Sequence, residues 1–377
     1  MVKIRNYIDG ELCEPVSSEY LDVVDPATGQ VYAQVPAGDE RDVELAVAAA
    51  ERAFAMWSST PTEERSRILL KIADMLEARL DEFARAECVD TGKPLELART
   101  LDIPRAVRSL RFFATAILHF HSESHATDNV ALNYTLRQPR GVTGLISPWN
   151  LPLYLLTWKV APAIATGNTV VAKPSEVTPM TAYMFSELCR DASLPPGVLN
   201  VVHGFGAKAG AAIAAHPKIT TLSFTGGTRT GAEVARTAAP LFKKLSLELG
   251  GKNPNIVFAD ADMDEAIDGS VRAAFANQGQ VCLCGSRLFV EQSIYRDFVE
   301  RFVAKTRALK VGDPLESTTD QGALVSKQHF EKVCNYLELA RQEGGTIRCG
   351  GKPAETINDR CRNGYFLEPT AFTDRDV

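Results

Sequence analysis

The chain reads as an α/β protein built on doubly wound parallel sheet, and three observations predict it. From residue 142 onward, short β-branched runs alternate with helix-length segments. The runs are mostly apolar and look buried, as strands covered on both faces are. Two of the strand-to-helix turns are rich in glycine, which lets backbone N–H groups come close to a phosphate at a helix N-terminus.

The elements follow in chain order. From Asp39 to about Glu123 the pattern is helical: Val43, Ala46, Val47, Ala50 and Phe54 recur at 3/4 spacing, and Pro61 with Thr62 opens a run holding Ile68, Leu69, Ile72, Met75 and Leu76. Asn129–Arg137 reads as one extended strand ended by Pro139 and Gly141. Strands are predicted over Val142–Ile146, Thr169–Ala172, Val198–Val202, Thr221–Phe224 and Leu245–Leu247, with helices over Lys159–Thr166, Met180–Ala192, Ala207–Ala215 and Thr230–Ala238. A further unit begins at Pro254–Phe258 and continues as a helix over Asp262–Asn277; the tail from Gly344 to Val377 closes nothing evident.

Composition narrows the function classes. At roughly 150 residues per domain, 377 residues suffice for two or three domains. Lys plus Arg total 41 against 47 Asp plus Glu, a net charge of −6 that gives no support to binding nucleic acid or an anionic membrane. Neither a secretory leader nor an apolar run of membrane length is visible, so the eight cysteines are read as reduced cytoplasmic thiols. No second Cys pair accompanies Cys282-Leu283-Cys284 and the six histidines are scattered, so no metal is expected.

Several residues stand where chemistry could occur. The turn Gly204–Gly210 follows a strand and opens a helix, although its third glycine comes one residue later than in the usual dinucleotide motif. A second turn, Phe224–Gly231, ends the next strand. Glu176 in KPSE lies just past a strand, where a carboxylate can bind a ribose diol; capping of a helix from Thr178 is the alternative. Cys282 sits in a polar, glycine-containing loop, more accessible than a thiol on an apolar helix face such as Cys189, and inert packing is its alternative. Glu248 interrupts an apolar strand before two glycines, so it is expected to be partly desolvated and a stronger base, unless it simply pairs with Lys252. Asn150 ends a strand where its amide could face a crevice or serve a turn.

Together these segments resemble the NAD(P)-dependent aldehyde dehydrogenase superfamily, through SPWN at 147–150, KPSE at 173–176, FTGG at 224–227, LELGGKNP at 247–254 and NQGQVCLCGSR at 277–287, in that order. The resemblance implies that Cys282 is the nucleophile, that the Asn150 amide and the Cys282 backbone N–H form an oxyanion hole, that hydride passes to NAD, and that Glu248 activates the water which releases the acid. It implies a cofactor site made of Ile146, Ser147, Pro148 and Trp149, of Lys173, Ser175 and Glu176, of Gly206 and Gly210, of Phe224, Thr225, Gly226 and Gly227, and of Leu249 and Gly250. Glu176 would disfavour a 2′-phosphate, so NAD is expected over NADP. Gly227 stands where many members have Ser, which removes one side-chain phosphate contact.

Within the superfamily the likeness is greatest to the muconic-semialdehyde dehydrogenases, carried by Asp90–Pro94, Asp102–Arg105, Phe112-Phe113, Pro148–Leu153 and Leu156–Lys159. Arg105 falls where relatives line the substrate channel, and a guanidinium there suits a substrate carboxylate; a surface arginine paired with an acid is the alternative. The implied substrate is 2-aminomuconate 6-semialdehyde, with the 2-hydroxymuconate compound second. The resemblance also implies an NAD-binding domain over 1–127 and 141–247, an oligomerisation arm over 128–140 and a catalytic domain over 248–377, in a homo-oligomer. Members continue past Glu368-Pro369-Thr370 into a further motif and a pairing strand, so the chain is expected to be C-terminally truncated. A non-catalytic isoform and a CoA-acylating enzyme are the competing readings, the latter disfavoured by Glu248.

Overall fold

The computed structural model describes residues 1–355 and 357–373. Residues 356 and 374–377 of the expected catalytic segment and tail lie outside the described residues. The chain opens on five short strands that helical and strand periodicity left unmarked: β1 (Val2–Lys3), β2 (Asn6–Ile8), β3 (Glu11–Cys13), β4 (Tyr20–Asp25) and β5 (Gln30–Pro36). β4 and β5 pair antiparallel through a turn in which Asp25 accepts the Ala27 N–H at 2.9 Å and Gly29 takes a φ of +69°, a region that favours glycine.

The helical stretch follows as α1 (Glu40–Ser59), α2 (Thr62–Ala78), α3 (Leu80–Thr91), the single turn α4 (Leu95–Leu97) and α5 (Ile103–Ala116). Asp39 and Asp42 cap α1 reciprocally: Asp39 accepts the Arg41 N–H at 2.9 Å and Asp42 the Asp39 N–H at 3.0 Å. The predicted stripe of α1 is buried except at Phe54, which is half-buried, and Trp57 completes it by donating its indole N–H to the Ile164 carbonyl at 3.0 Å. The expected single strand over Asn129–Arg137 is instead an exposed antiparallel hairpin, β6 (Ser124–Thr127) with β7 (Ala131–Tyr134), turning at Asn129 with φ +55°. β6 falls between the end of the predicted helical stretch at about Glu123 and the start of the predicted strand at Asn129, and its residues Ser-His-Ala-Thr carry no apolar pattern to mark it.

The central sheet is built from β8 (Val142–Ile146), α6 (Pro152–Ala165), β9 (Thr169–Lys173), α7 (Met180–Asp191), β10 (Leu199–Val201), α8 (Ala211–Ala215), β11 (Ile219–Gly226), α9 (Thr228–Ala238) and β12 (Lys244–Leu249). α6 begins seven residues before the predicted start at Lys159 because Pro152 sits in its first turn, where a missing N–H is harmless. Strand order is β12-β11-β8-β9-β10-β2-β3; the first five are mutually parallel, and β2 joins antiparallel through Val201 and Tyr7. Starting from β8, the chain winds outward through β9 and β10, then returns to β11 and β12 on the other side. The order therefore reverses between β8 and β11, and an open α/β sheet offers its ligand crevice at the carboxyl ends of such a pair.

Both faces of this sheet are covered. Val170 and Ala172 pack with α2, α5, α6 and α7, whereas Val171 packs with α1 and α8. That is why the middle of β9, Val170–Ala172, is apolar without a break; burying each valine contributes about 1.5–3 kcal/mol. Gly144 on β8 lets α8 approach, since a Cβ there would stand 2.6 Å from Ile213 Cγ2 and 3.0 Å from Leu222 Cδ1. Gly144→Val is therefore expected to lower stability by about 1–3 kcal/mol, read as a lower urea midpoint at unchanged slope; an unshifted midpoint would mean that α8 moves away freely.

Beyond β12 the chain forms β13 (Pro254–Val257), α10 (Met263–Phe275), β14 (Arg287–Val290), α11 (Tyr295–Arg307), α12 (Lys327–Gln342), β15 (Thr346–Cys349) and β16 (Ala371–Thr373). β13 and β14 pair in parallel, and α10 and α11 close over them through Val257, Ile267, Val271, Phe298 and Phe302. The tail was expected to close nothing, yet Thr346–Cys349 pairs antiparallel with Ala371–Thr373. Among the described residues no helix is long and apolar enough to cross a membrane.

Candidate active site

A cleft of about 490 Å³ opens at the reversal point. Its walls come from Pro148, Trp149 and Asn150 after β8, from Thr225, Gly226 and Gly227 at the end of β11, from Gly250 after β12, and from the Cys282 loop. Asn150 and Cys282, more than a hundred residues apart in sequence, thus face one space. Ile146 and Phe224 are buried in the sheet just behind it, and Leu249 is exposed at the end of β12.

The loop carrying Cys282 is held in an unusual conformation. Asn277, Gln278 and Gly279 take φ values of +53°, +54° and +70° in succession, a left-handed run that strains the two non-glycine residues. Side-chain amides hold it. Asn277 Nδ2 donates to the carbonyls of Asn150 at 3.1 Å and Gln280 at 3.2 Å. Gln278 Nε2 donates to Ala323 at 2.8 Å and Gly92 at 3.1 Å, and Gln280 Oε1 accepts the Val325 N–H at 3.1 Å. Asn253 Nδ2 donates to the Cys282 carbonyl at 2.8 Å. Within this frame the two thiols differ. Both line the cleft, but Cys282 is half-buried there, whereas Cys284 is buried with its Sγ 3.1 Å from the Gly279 carbonyl, and burial pushes its thiol up.

The Asn150 amide donates to the Gln280 carbonyl at 2.8 Å, so it is bound into the Cys282 loop rather than serving a local turn. Glu248 corrects an expectation. It is exposed, makes no ion pair with Lys252 among the described residues, and is not on the cleft wall. The apolar flanks misled: along β12, Leu245 and Leu247 turn inward while Lys244, Ser246 and Glu248 form the outward row of an edge strand. Its neighbour is Lys159 on α6, a buried lysine that the sequence reading did not single out. Burial pushes the Lys159 ammonium down to about 8, against the pull of Glu248, and its Nζ donates to Ser223 Oγ at 2.8 Å.

At the end of β9, the buried Lys173 pairs with Glu176 at 2.9 Å and donates to the Pro174 carbonyl at 2.7 Å. α7 starts at Met180 with no side-chain cap, so Glu176 does not cap it. Ser175 Oγ accepts the Val177 N–H at 3.3 Å. Gly210 presses the helix after the first glycine turn against this corner, a Cβ there standing 3.5 Å from Lys173 Cδ and 4.0 Å from Ile146 Cδ1. Cβ atoms at Gly206, Gly227 and Gly250 would meet nothing within 4 Å, which leaves open space beside the backbone. Ser147 Oγ is buried and without a partner among the described residues. A carboxylate beside a fixed ammonium, bare glycine backbone and an orphaned hydroxyl fit a dinucleotide: a diol at Glu176 and diphosphate along the glycines.

Arg105 projects from α5 onto α6. Its guanidinium lies 4.2 Å over the Tyr154 ring, and Nη2 donates to the Tyr154 hydroxyl at 3.2 Å. Arg99 and Arg111 nearby both pair with acids, but no carboxylate pairs with Arg105 among the described residues, so the surface ion-pair alternative is not what forms.

The sheet reversal, the glycine-lined crevice and the thiol beside it define an α/β oxidoreductase of the nucleotide-linked kind. The chain belongs to the aldehyde dehydrogenase family, whose model matches residues 13–376. It is 52% identical over 376 residues to the human 2-aminomuconic semialdehyde dehydrogenase, covering 99% of this chain and 77% of that protein. It is 45% identical to the 2-hydroxymuconic semialdehyde dehydrogenase of a Pseudomonas species, covering 99% and 78%. Among solved structures, PnpE in complex with nicotinamide adenine dinucleotide superposes with a TM-score of 0.95 at 40% identity, covering 98% of this chain and 75% of that one. HpcC from Thermus thermophilus gives 0.96 at 43%, covering 98% and 72%.

Proposed function

We propose that the chain oxidises a muconic semialdehyde to the carboxylic acid with NAD, 2-aminomuconate 6-semialdehyde being the first candidate and the 2-hydroxy compound the second. The observation that carries the chemistry is the 2.8 Å bond from the Asn150 amide to the Gln280 carbonyl, two residues before Cys282. It ties a hydrogen-bond donor to the loop that bears the nucleophile. The Cys282 thiolate adds to the aldehyde carbon, forming the C–S bond as the carbonyl π pair moves onto oxygen. The second Asn150 N–H and the Cys282 backbone N–H hold that oxygen. NAD, when bound, would supply the two-electron acceptor that the adduct needs to become a thioester. Glu248 then takes a proton from water, water adds to the thioester carbon, the C–S bond breaks, and Cys282 is restored as the acid leaves.

The fit of Lys173 and Glu176 to a ribose diol supports NAD as cofactor, since the Glu176 charge opposes a 2′-phosphate. Ile146 to Trp149, Ser175, Gly206, Gly210, Phe224 to Gly227, Leu249 and Gly250 complete that site in this reading, and Cys282, Glu248 and Asn150 form the catalytic set. The two units are an NAD-binding domain over 1–127 and 141–247 and a catalytic domain over 248–377, with β12 running across their junction. The exposed β6–β7 hairpin supports an arm over 128–140 that pairs subunits in a dimer or tetramer. All eight cysteines are free, which supports a reducing, cytoplasmic setting.

The Arg105 guanidinium, held by Tyr154 and paired with no carboxylate among the described residues, supports an acidic substrate. NADH appearance with both muconic semialdehydes and a simple alkyl aldehyde tests this. Arg105→Ala is expected to reduce the kcat/KM preference for the acidic aldehydes by about 10–100-fold, the effect of one charge-assisted hydrogen-bonded pair. An unchanged preference removes Arg105 from the substrate site.

A further inference from the structure

Behind the Asn150 loop lies a charged cluster with no access to solvent. The Lys93 side chain, on the turn between α3 and α4, is 0% exposed. Its ammonium pairs with Asp102 and stands 3.8 Å from Glu87 Oε1, while Glu87 Oε2 accepts the Thr181 hydroxyl at 2.9 Å. Taking such ions out of water costs several kcal/mol each, and apolar residues of similar volume would often serve stability as well. The cluster does one thing an apolar core could not: Lys93 Nζ donates to the main-chain carbonyl of Asn150 at 3.1 Å. Asn277 Nδ2 donates to the same oxygen, also at 3.1 Å. Because Asn277 also donates to the Gln280 carbonyl, which the Asn150 amide itself reaches, the contacts close a ring: Lys93 to Asn150, Asn150 to Gln280, and Asn277 bridging both carbonyls.

We propose that Lys93 and Asn277 are positioning residues for the reaction, clamping the Asn150 carbonyl so that the Asn150 amide stands where the oxyanion develops. The inference rests on the roles given above to Asn150 and Cys282. Lys93 acts through geometry, since Asp102 neutralises its charge locally. A donor shifted by about 1 Å loses on the order of 10²-fold in rate, so the clamp is felt in the chemical step and not in substrate binding.

p-Nitrophenyl acetate tests this without the nucleotide. The Cys282 thiolate attacks the ester carbon, the C–S bond forms, the same oxyanion develops, and p-nitrophenolate leaves as the C–O bond breaks. Two variants are compared, Lys93→Met/Asp102→Leu, which exchanges the Lys93–Asp102 ion pair for apolar groups and leaves Glu87 bonded to Thr181, and Asn277→Ala. Each is made with Asn150 present and in an Asn150→Ala background, with circular dichroism and thermal melting to confirm folding. With Asn150 present, the acylation rate constant at saturating ester is expected to fall about 10–100-fold at an unchanged half-saturation concentration. In the Asn150→Ala background the same changes are expected to matter less than about threefold, because the group they position is gone. Equal factors in both backgrounds overturn the inference and leave the cluster a structural role. If Lys93→Met/Asp102→Leu does not fold, Asn277→Ala decides the clamp by the same comparison. If Asn150→Ala alone leaves acylation unchanged, the oxyanion role of Asn150 falls, and the clamp with it.

Discussion

Cys282→Ala is expected to abolish aldehyde-dependent NADH formation, with kcat falling on the order of 10⁴-fold or more, while Cys284→Ser keeps turnover within about threefold. The two thiols are two residues apart, and the surroundings distinguish them. Cys282 is half-buried on the cleft that Asn150 also lines, with its carbonyl fixed by Asn253. Cys284 points at the Gly279 carbonyl, and burial raises the energy of its thiolate. Alanine at 282 leaves no atom to form the C–S bond, so the route through a thioester is lost. Steady-state absorbance at 340 nm with saturating aldehyde and NAD reads the outcome, and a matched thermal midpoint confirms the fold. Persistent turnover in Cys282→Ala excludes this thiol as nucleophile; loss confined to Cys284→Ser moves the role to its neighbour.

What could be read before the fold was known follows from where side chains are buried. β8 and β9 were legible because helices cover both faces, so Val142–Ile146 and Thr169–Lys173 are buried at every position. β2 and β3 were not, because strands of three residues carry too little pattern to stand out. β4 and β5 are long enough, and the turn Asp25–Gln30 between them is rich in turn-forming residues, so that hairpin was available to a reading that began from strands. β15 and β16 pair across more than twenty residues of intervening chain, a contact that local pattern cannot encode.

The site divides along the same line. Cys282 and Asn150 each carried an inert alternative, packing for one and a turn for the other, and it is the resemblance of the short segments around them that made them candidates. The desolvation expected of Glu248 rested on its flanking leucines, but alternation along an edge strand puts flanking residues and the residue itself on opposite rows. Lys93 was invisible for the opposite reason. In Asp90–Pro94 a lysine between glycine and proline reads as a solvated turn, and only packing of α3, α5 and the Asn150 loop around it takes its exposure to 0%. Lys159 carried a signal that went unused, a single charge in an otherwise apolar helix, which is the pattern of a buried ion with a partner.

Glu248→Gln is expected to give a burst of about one NADH per chain followed by a steady rate lower by on the order of 10²–10⁴. Glutamine keeps the shape of the side chain and its ability to hydrogen-bond, but it cannot accept a proton from water. In the proposed mechanism, forming the thioester requires only Cys282, the oxyanion donors and the bound acceptor, so the first turnover is expected to proceed and the acyl group then to stay on sulfur. The surroundings bear on how the carboxylate reaches its water. It stands on the outward row of β12, off the cleft wall, with the buried Lys159 ammonium as its charged neighbour. The base must therefore turn toward the thioester or work through a bridging water, and a flexible, solvated carboxylate can do either. Rapid-quench measurement of acid release against stopped-flow NADH separates the steps. A burst with slow release assigns Glu248 to hydrolysis of the thioester. A slow rate with no burst assigns it to an earlier step, such as taking the proton from Cys282, because a base needed before the C–S bond forms would stall the enzyme with no acyl group attached.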